Sequence, residues 1–246
     1  MDKQSPMQAK SRVPRGLLTV PASGAKVRSV ERLQCFAVGN YWGTSRTEAF
    51  SDGVFAIAIT LLVLEVNVPE TAFDDLWHGI ADQWPAYLSY ATSFITIGGI
   101  WMAHHGMFRR LDYANRRLMV VNLLLLMAVA FLPFPTKLMA EAIHSVDAER
   151  AAAVFYGGSL LVISLLFSTL WGSVARDRHL LKPDVGDEEI RAIALGAAPN
   201  IGFYIAVLSL AIVAPRVAVF GYLVIAIVAV LRVPGDEKGT PTSTST

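Results

Sequence analysis

Four side chains at the head of an apolar run are where this sequence places its chemistry. Arg46, Glu48, Ser51 and Asp52 open the stretch RTEAFSDGVFAIAITLLVLEV, which continues into Asn67 and Val68. Ionisable groups inside a hydrocarbon-length segment are expensive and mark paired networks or ion paths. A second polar group, Trp101, His104 and His105, lies within WMAHHGMF. Carboxylate, hydroxyl, indole and imidazole groups are complementary, so a Ser51–Asp52–Trp101–His network is expected to orient the first helix. Two readings of it stay open: a structural network, or one that answers to pH through a histidine. The adjacent histidines diverge by about 100° on a helix and cannot converge on one ion. No Cys or Glu-x-x-His set accompanies them, so no metal, haem or other cofactor is expected. No nucleophile joins them either, so an enzyme is not expected.

The elements that hold these residues are membrane helices. The chain has 246 residues, 54% of them hydrophobic and 17% charged, against about 25% charged in soluble domains. The apolar residues fall in blocks near the roughly 20 residues that a membrane helix needs. Residues 1–45 are basic, punctuated by Pro and Gly, and read as a disordered tail, with anionic lipid as a second reading. The single Cys35 excludes an intrachain disulfide.

The first helix is expected from Arg46 to Val68, with Ser45 as N-cap, Glu48 completing a capping box, and Pro69 as its stop. At 1.5 Å per residue it reaches about 34 Å. Further spans are expected over Ala86–Phe108, Leu118–Thr136 (kinked or ended by Pro133 and Pro135), Ala151–Ala175, Ala192–Ala214 (interrupted at Pro199 and Asn200) and Val217–Leu231. The fold class is therefore all-α, a polytopic membrane protein with six transmembrane helices over 46–232, followed by a polar tail over 233–246. Of the 21 Lys and Arg, only Lys137, Arg150 and Arg216 fall on one face of this topology. The positive-inside rule then puts both termini in the cytoplasm of a cell membrane. The outer loop after helix one carries Glu70, Asp74, Asp75 and Asp82, with Glu65 just inside the membrane edge. That acidity either draws cations or is an ordinary solvated loop.

Helical angles sort the first helix into two faces. With Ile57 at zero, Gly53 lies near about −40°, Thr60 near −60°, Leu61 near +40° and Leu64 near −20°. Ser51 and Asp52 point the other way, near about +120° and −140°. The stripe Ile57, Thr60, Leu61 and Leu64 reads either as plain packing or as a pore wall able to gate by dewetting. Arg46, near about −20°, shares that stripe and is expected to turn into a polar network or lie beyond the narrow region.

The pattern Arg46-x-x-x-Phe50-Ser51-Asp52, with Trp101-x-x-His104-His105 and the Leu-Pro-Phe-Pro-Thr run at 132–136, resembles the signature of the transmembrane protein 175 family. The resemblance covers helices one to three closely. It implies a potassium-permeable channel of the bacterial type, with one six-helix repeat per chain and four chains per channel. The first helix of each repeat lines the pore in that family, and the matching narrow points here are Ile57, Thr60 and Leu64. Arg46, Phe50, Ser51, Asp52, Trp101, His104 and His105 would support the pore helix and its gating. Some members also conduct protons. The implied partners are potassium ions, membrane lipid and copies of the chain itself, with no nucleic acid. The rival class is a secondary transporter, which needs broken helices near the midplane; Pro199–Asn200 is the one candidate break.

Overall fold

The computed structural model describes residues 41–66, 75–142 and 145–231. The expected basic tail before residue 41, part of the acidic loop (Glu70 and Asp74) and the C-terminal tail lie outside them. The described chain is helical, with one small ribbon. Strand β1 (Tyr41–Gly43) leads into α1 (Ser45–Leu61), which tightens into a 3₁₀ turn over Leu62–Glu65. A short helix α2 (Leu76–Asp82) precedes α3 (Trp84–Phe108). Then come β2 (Tyr113–Asn115), α4 (Arg116–Phe131), α5 (Pro133–Glu141), α6 (Val146–Arg176), α7 (Asp187–Val213) and α8 (Pro215–Leu231). Among the described residues three segments, Ser45–Glu65, Arg116–Glu141 and Val146–Arg176, are long and apolar enough to cross a membrane. The 25-residue α3 carries Ser89, Thr92, Ser93 and Thr96 on its buried side.

Several boundaries differ from the sequence expectation, each for a local reason. Thr44, not Ser45, precedes the first helical turn, and no side chain caps it. The capping box does not form because the Glu48 carboxylate turns away toward His105 on α3, 3.2 Å off. The helix ends at Glu65 rather than Val68, where Val66 becomes extended. Pro133 stops α4 and then serves as the first residue of α5, a position where its missing N–H is harmless. Helix α7 runs through Pro199 and Asn200 without a break. The ribbon was not anticipated either. Tyr41, Trp42 and Gly43 pair antiparallel with Asn115, Ala114 and Tyr113, so regular structure is already present before Arg46.

The ribbon belongs to a collar at one end of the helices. The Asp112 N–H donates to the Leu180 carbonyl at 2.8 Å, and the Lys182 N–H to the Arg110 carbonyl at 3.0 Å. The Asn115 amide reaches Asp177 at 3.3 Å. The collar thus joins the entry of α1 to the α3–α4 and α6–α7 connections. Glu48 meeting His105 places the start of α1 beside the end of α3, so those two helices run in opposite directions.

Packing follows the rule for membrane bundles, where small residues admit close helix approach because hydrocarbon supplies no hydrophobic drive between helices. Gly157 on α6 receives the Tyr222 hydroxyl of α8, which donates to the Ala153 carbonyl at 3.1 Å. Gly99 on α3 admits Val230 of α8 in the same way. Around the α4–α5 break, Ser93 lies 2.8 Å from the Thr136 hydroxyl and 3.0 Å from Tyr156. The Thr136 hydroxyl also donates to the Leu132 carbonyl at 2.8 Å.

A Cβ at residue 157 would overlap the Tyr222 hydroxyl and ring. Gly157→Val should therefore expel Tyr222 and destabilise the bundle by about 1–3 kcal/mol, the usual cost of overpacking. A thermal unfolding shift of the detergent-solubilised protein measures it; an unchanged midpoint would show that α6 and α8 do not meet this closely.

Candidate functional site

Helix α1 divides its residues between a packed face and an open one. Phe55, Ala58 and Leu62 are buried, and Ser51 is fully buried with them. Ile57 is 61% exposed, Leu61 41% and Leu64 71%; Gly53 and Thr60 are exposed beside them. The Thr60 hydroxyl donates to the Ile57 carbonyl at 2.9 Å, which leaves its oxygen lone pairs turned outward. Arg46 and Phe50 are exposed at the start of the helix. Arg46 makes no ion pair among the described residues and stands about 16 Å along the axis from Ile57, at 1.5 Å per residue.

The polar residues form two networks where the sequence suggested one. The inner one is a directed chain of hydrogen bonds. The Ser51 hydroxyl donates to the Thr47 carbonyl at 2.8 Å, so its oxygen is left to accept from the Asn122 amide at 3.0 Å. The Asn122 carbonyl oxygen then faces His104 Nε2 at 2.8 Å. This direction assigns the His104 proton to Nε2, an assignment made from the network. His104 Nδ1 is buried without a hydrogen-bond partner among the described residues. A neutral ring therefore satisfies every bond the chain makes. Phe55 and Phe108 enclose the imidazole, with ring centres 5.3 and 4.4 Å away.

The outer network lies at the surface of the chain. Trp101 Nε1 donates to Asp52 at 2.9 Å. The Trp101 indole stacks on His105 at 5.7 Å. His105 Nδ1 is 3.2 Å from Glu48, near enough for an ion pair but not aligned as a hydrogen bond. The division has a simple cause. Ser51 and Asp52 diverge by about 100° around the helix, so they meet different neighbours; His104 and His105 diverge in the same way. Ser51 therefore meets α4 through Asn122, while Asp52 meets α3 through Trp101.

Asn122 is the residue that sequence reasoning missed. It was detectable: it is the one amide in the apolar run LMVVNLLLLMAV, and an isolated polar group in such a run calls for a partner. At the other end of α1, Glu65 lies 3.7 Å from Lys137 of α5. Among the described residues no group of three or more His, Cys, Asp or Glu is placed to hold a metal.

Asn122→Leu would leave the His104 Nε2–H buried without an acceptor, while the Ser51 hydroxyl, still donating to the Thr47 carbonyl, would lose the donor to its oxygen. The orphaned N–H costs about 1–3 kcal/mol. The expected outcome is a lower unfolding temperature, partly recovered in the Ser51→Ala/Asn122→Leu double variant. Equal stability of all three proteins would show that the chain of bonds does not hold α1.

Comparison with known proteins places the chain in a family. Residues 46–133, which hold both networks, match the family model described as endosomal/lysosomal potassium channel TMEM175. A potassium channel of Streptomyces collinus is 43% identical over 150 residues, covering 61% of this chain and 73% of that protein. The crystal structure of a lysosomal potassium-selective channel TMEM175 homologue from Chamaesiphon minutus superposes with a TM-score of 0.71 at 39% identity, covering 78% of this chain and 98% of that one. The endosomal/lysosomal proton channel TMEM175 of Gallus gallus is 39% identical over 105 residues, only 21% of its length. Its helical membrane fold and its similarity along nearly the whole of a solved homologue establish that this chain belongs to the TMEM175 family.

Proposed function

We propose that this chain is one subunit of a potassium-permeable cation channel, and that the exposed face of α1 is its pore wall. The observation that carries the reading is the asymmetry of α1. One face is packed to near-zero exposure and fastened by Ser51, while the opposite face presents Ile57, Thr60, Leu61 and Leu64 outward. A single helix cannot enclose an ion path, so copies must come together; four copies with their α1 helices around one axis are proposed. The names of the bacterial relatives support potassium as the ion, and the name of the animal relative supports proton passage as a further property.

At the Ile57 and Leu64 positions a passing ion loses water and gains no replacement ligand. Thr60, whose hydroxyl proton is already committed to a backbone carbonyl, offers lone pairs between them. Potassium holds its water less tightly than sodium, so it crosses such a barrier more readily. Selectivity by this route is moderate, and it needs no ring of backbone carbonyls. In the proposed topology six crossings, counting α4 and α5 as one, leave both termini in the cytoplasm of a plasma membrane. The Arg46 side chains sit beyond the narrow region, where neighbouring subunits supply their partners.

A transporter reading loses its structural footing, because α7 is continuous through Pro199. Purified protein in a planar bilayer should give discrete single-channel steps larger in potassium than in sodium; slow, saturable flux without steps would overturn the channel. Ile57→Asn should wet the constriction and move the reversal potential under opposed potassium and sodium toward zero, and no movement would remove Ile57 from the pore. Asp52→Asn should change open probability while leaving that reversal potential alone; a selectivity change instead would put Asp52 in the ion path.

A further inference from the structure

A cavity at the end of the bundle away from the collar has no part in either network. Its volume is about 340 Å³, within the range of roughly 300–1,000 Å³ seen for small-molecule sites. It lies among the first turns of α3, α6 and α8 and the last turn of α5. Trp84, Leu88, Met139 and Phe220 supply apolar walls, and Glu149 and Arg216 stand at one side. Trp84 and Phe220 are more than half exposed, so the cavity opens outward from the bundle.

The charged side is built rather than incidental. The Glu149 side chain is only 11% exposed, and both its oxygens accept from Arg216. Arg216 Nε donates at 3.0–3.1 Å and Nη2 at 3.0 Å. This grip fixes the plane of the guanidinium, whose side chain stays 75% exposed and whose Nη1 is not used by Glu149. An apolar recess under a clamped guanidinium, with a tryptophan at the start of its helix, has the polarity profile of a lipid at the membrane interface. Tryptophan favours that depth, and arginine presents several donors in a planar fork suited to phosphate.

We propose that this cavity is a lipid-binding site: it takes one acyl chain of an outer-leaflet glycerophospholipid, whose phosphate is bound by Arg216. The chemistry of the cavity commits it to a phospholipid rather than to a second copy of the chain. A second copy would cover the recess with side chains and bury a guanidinium that is open on one side. The site also lies on α8, which packs against α3, α6 and α7, whereas the proposed ion path follows α1. Its occupancy rests on membrane embedding and not on conduction, so a failure here would leave the channel reading standing.

Native mass spectrometry of the delipidated full-length protein, titrated with palmitoyl-oleoyl phosphatidylglycerol, tests it. Wild type should retain one lipid per subunit. Val219 also lines the recess; Val219→Trp, which fills it, should abolish that adduct without changing the oligomer mass. Arg216→Gln should weaken the phospholipid by about tenfold yet bind diacylglycerol, which lacks the phosphate, as wild type does. Equal retention by wild type and Val219→Trp would overturn the site. Unchanged phosphatidylglycerol affinity in Arg216→Gln would remove the phosphate contact and with it the proposal. A Val219→Trp protein of altered oligomer mass and undiminished lipid would make the recess a subunit contact instead.

Discussion

The hydrogen-bond chain from His104 through Asn122 to Ser51 is the interaction on which the arrangement of this molecule turns. It joins α3, α4 and α1 at one point inside the bundle, with all three polar side chains buried. At that depth bulk solvent cannot reach them, so each donor needs an acceptor within the bundle. The chain has one consistent direction, from the imidazole N–H to the Thr47 carbonyl. Rotating α1 by one residue would break it and put Asp52 where Ser51 now sits. Such bonds in membrane proteins are individually modest, about 0.6 kcal/mol on average. Their value here is geometric: they choose one rotation of a helix whose apolar residues alone would tolerate several.

That rotation decides which side of α1 is open. With Ser51 turned inward, Phe55, Ala58 and Leu62 follow it into the core, and Ile57, Thr60, Leu61 and Leu64 are left outside. The outer network of Trp101, Asp52, His105 and Glu48 braces the same helix from α3. The collar braces its entry, because the strand just before α1 is hydrogen-bonded to the α3–α4 connection. Three independent contacts thus hold the first two turns of one helix, while its far end keeps the looser Glu65–Lys137 pair at 3.7 Å.

Much of this was legible in the sequence, and the exceptions are instructive. The apolar blocks and the stripe on the first helix follow from composition and helical period; the shared depth of Asp52 with Trp101, His104 and His105 left three candidate partners, of which Trp101 is the one that bonds it. Pro133 was legible as a stop but not as the start of the next helix, since a proline serves equally well in both roles. Pro199 looked like a break, yet α7 passes through it; proline in a membrane helix is tolerated where neighbours meet the freed backbone groups. Glu48 fitted a capping box by spacing, but a carboxylate near a histidine from another helix has a better partner than its own backbone. The ribbon was invisible because three residues in a basic, proline-rich segment carry no strand pattern of their own.

What the sequence determined by itself is the material of the bundle: apolar helices near spanning length, and one helix with a polar head and an apolar stripe. Those features depend on residue type and on a period of 3.6, and both are local. Only the tertiary structure decided that Ser51 and Asp52 serve different networks, that Asn122 connects the first of them, and that the stripe is the face left uncovered. Partner choice is set by which helices lie on either side of α1. No spacing within α1 encodes that, because α3 and α4 arrive from 49 and 71 residues away to make the bonds.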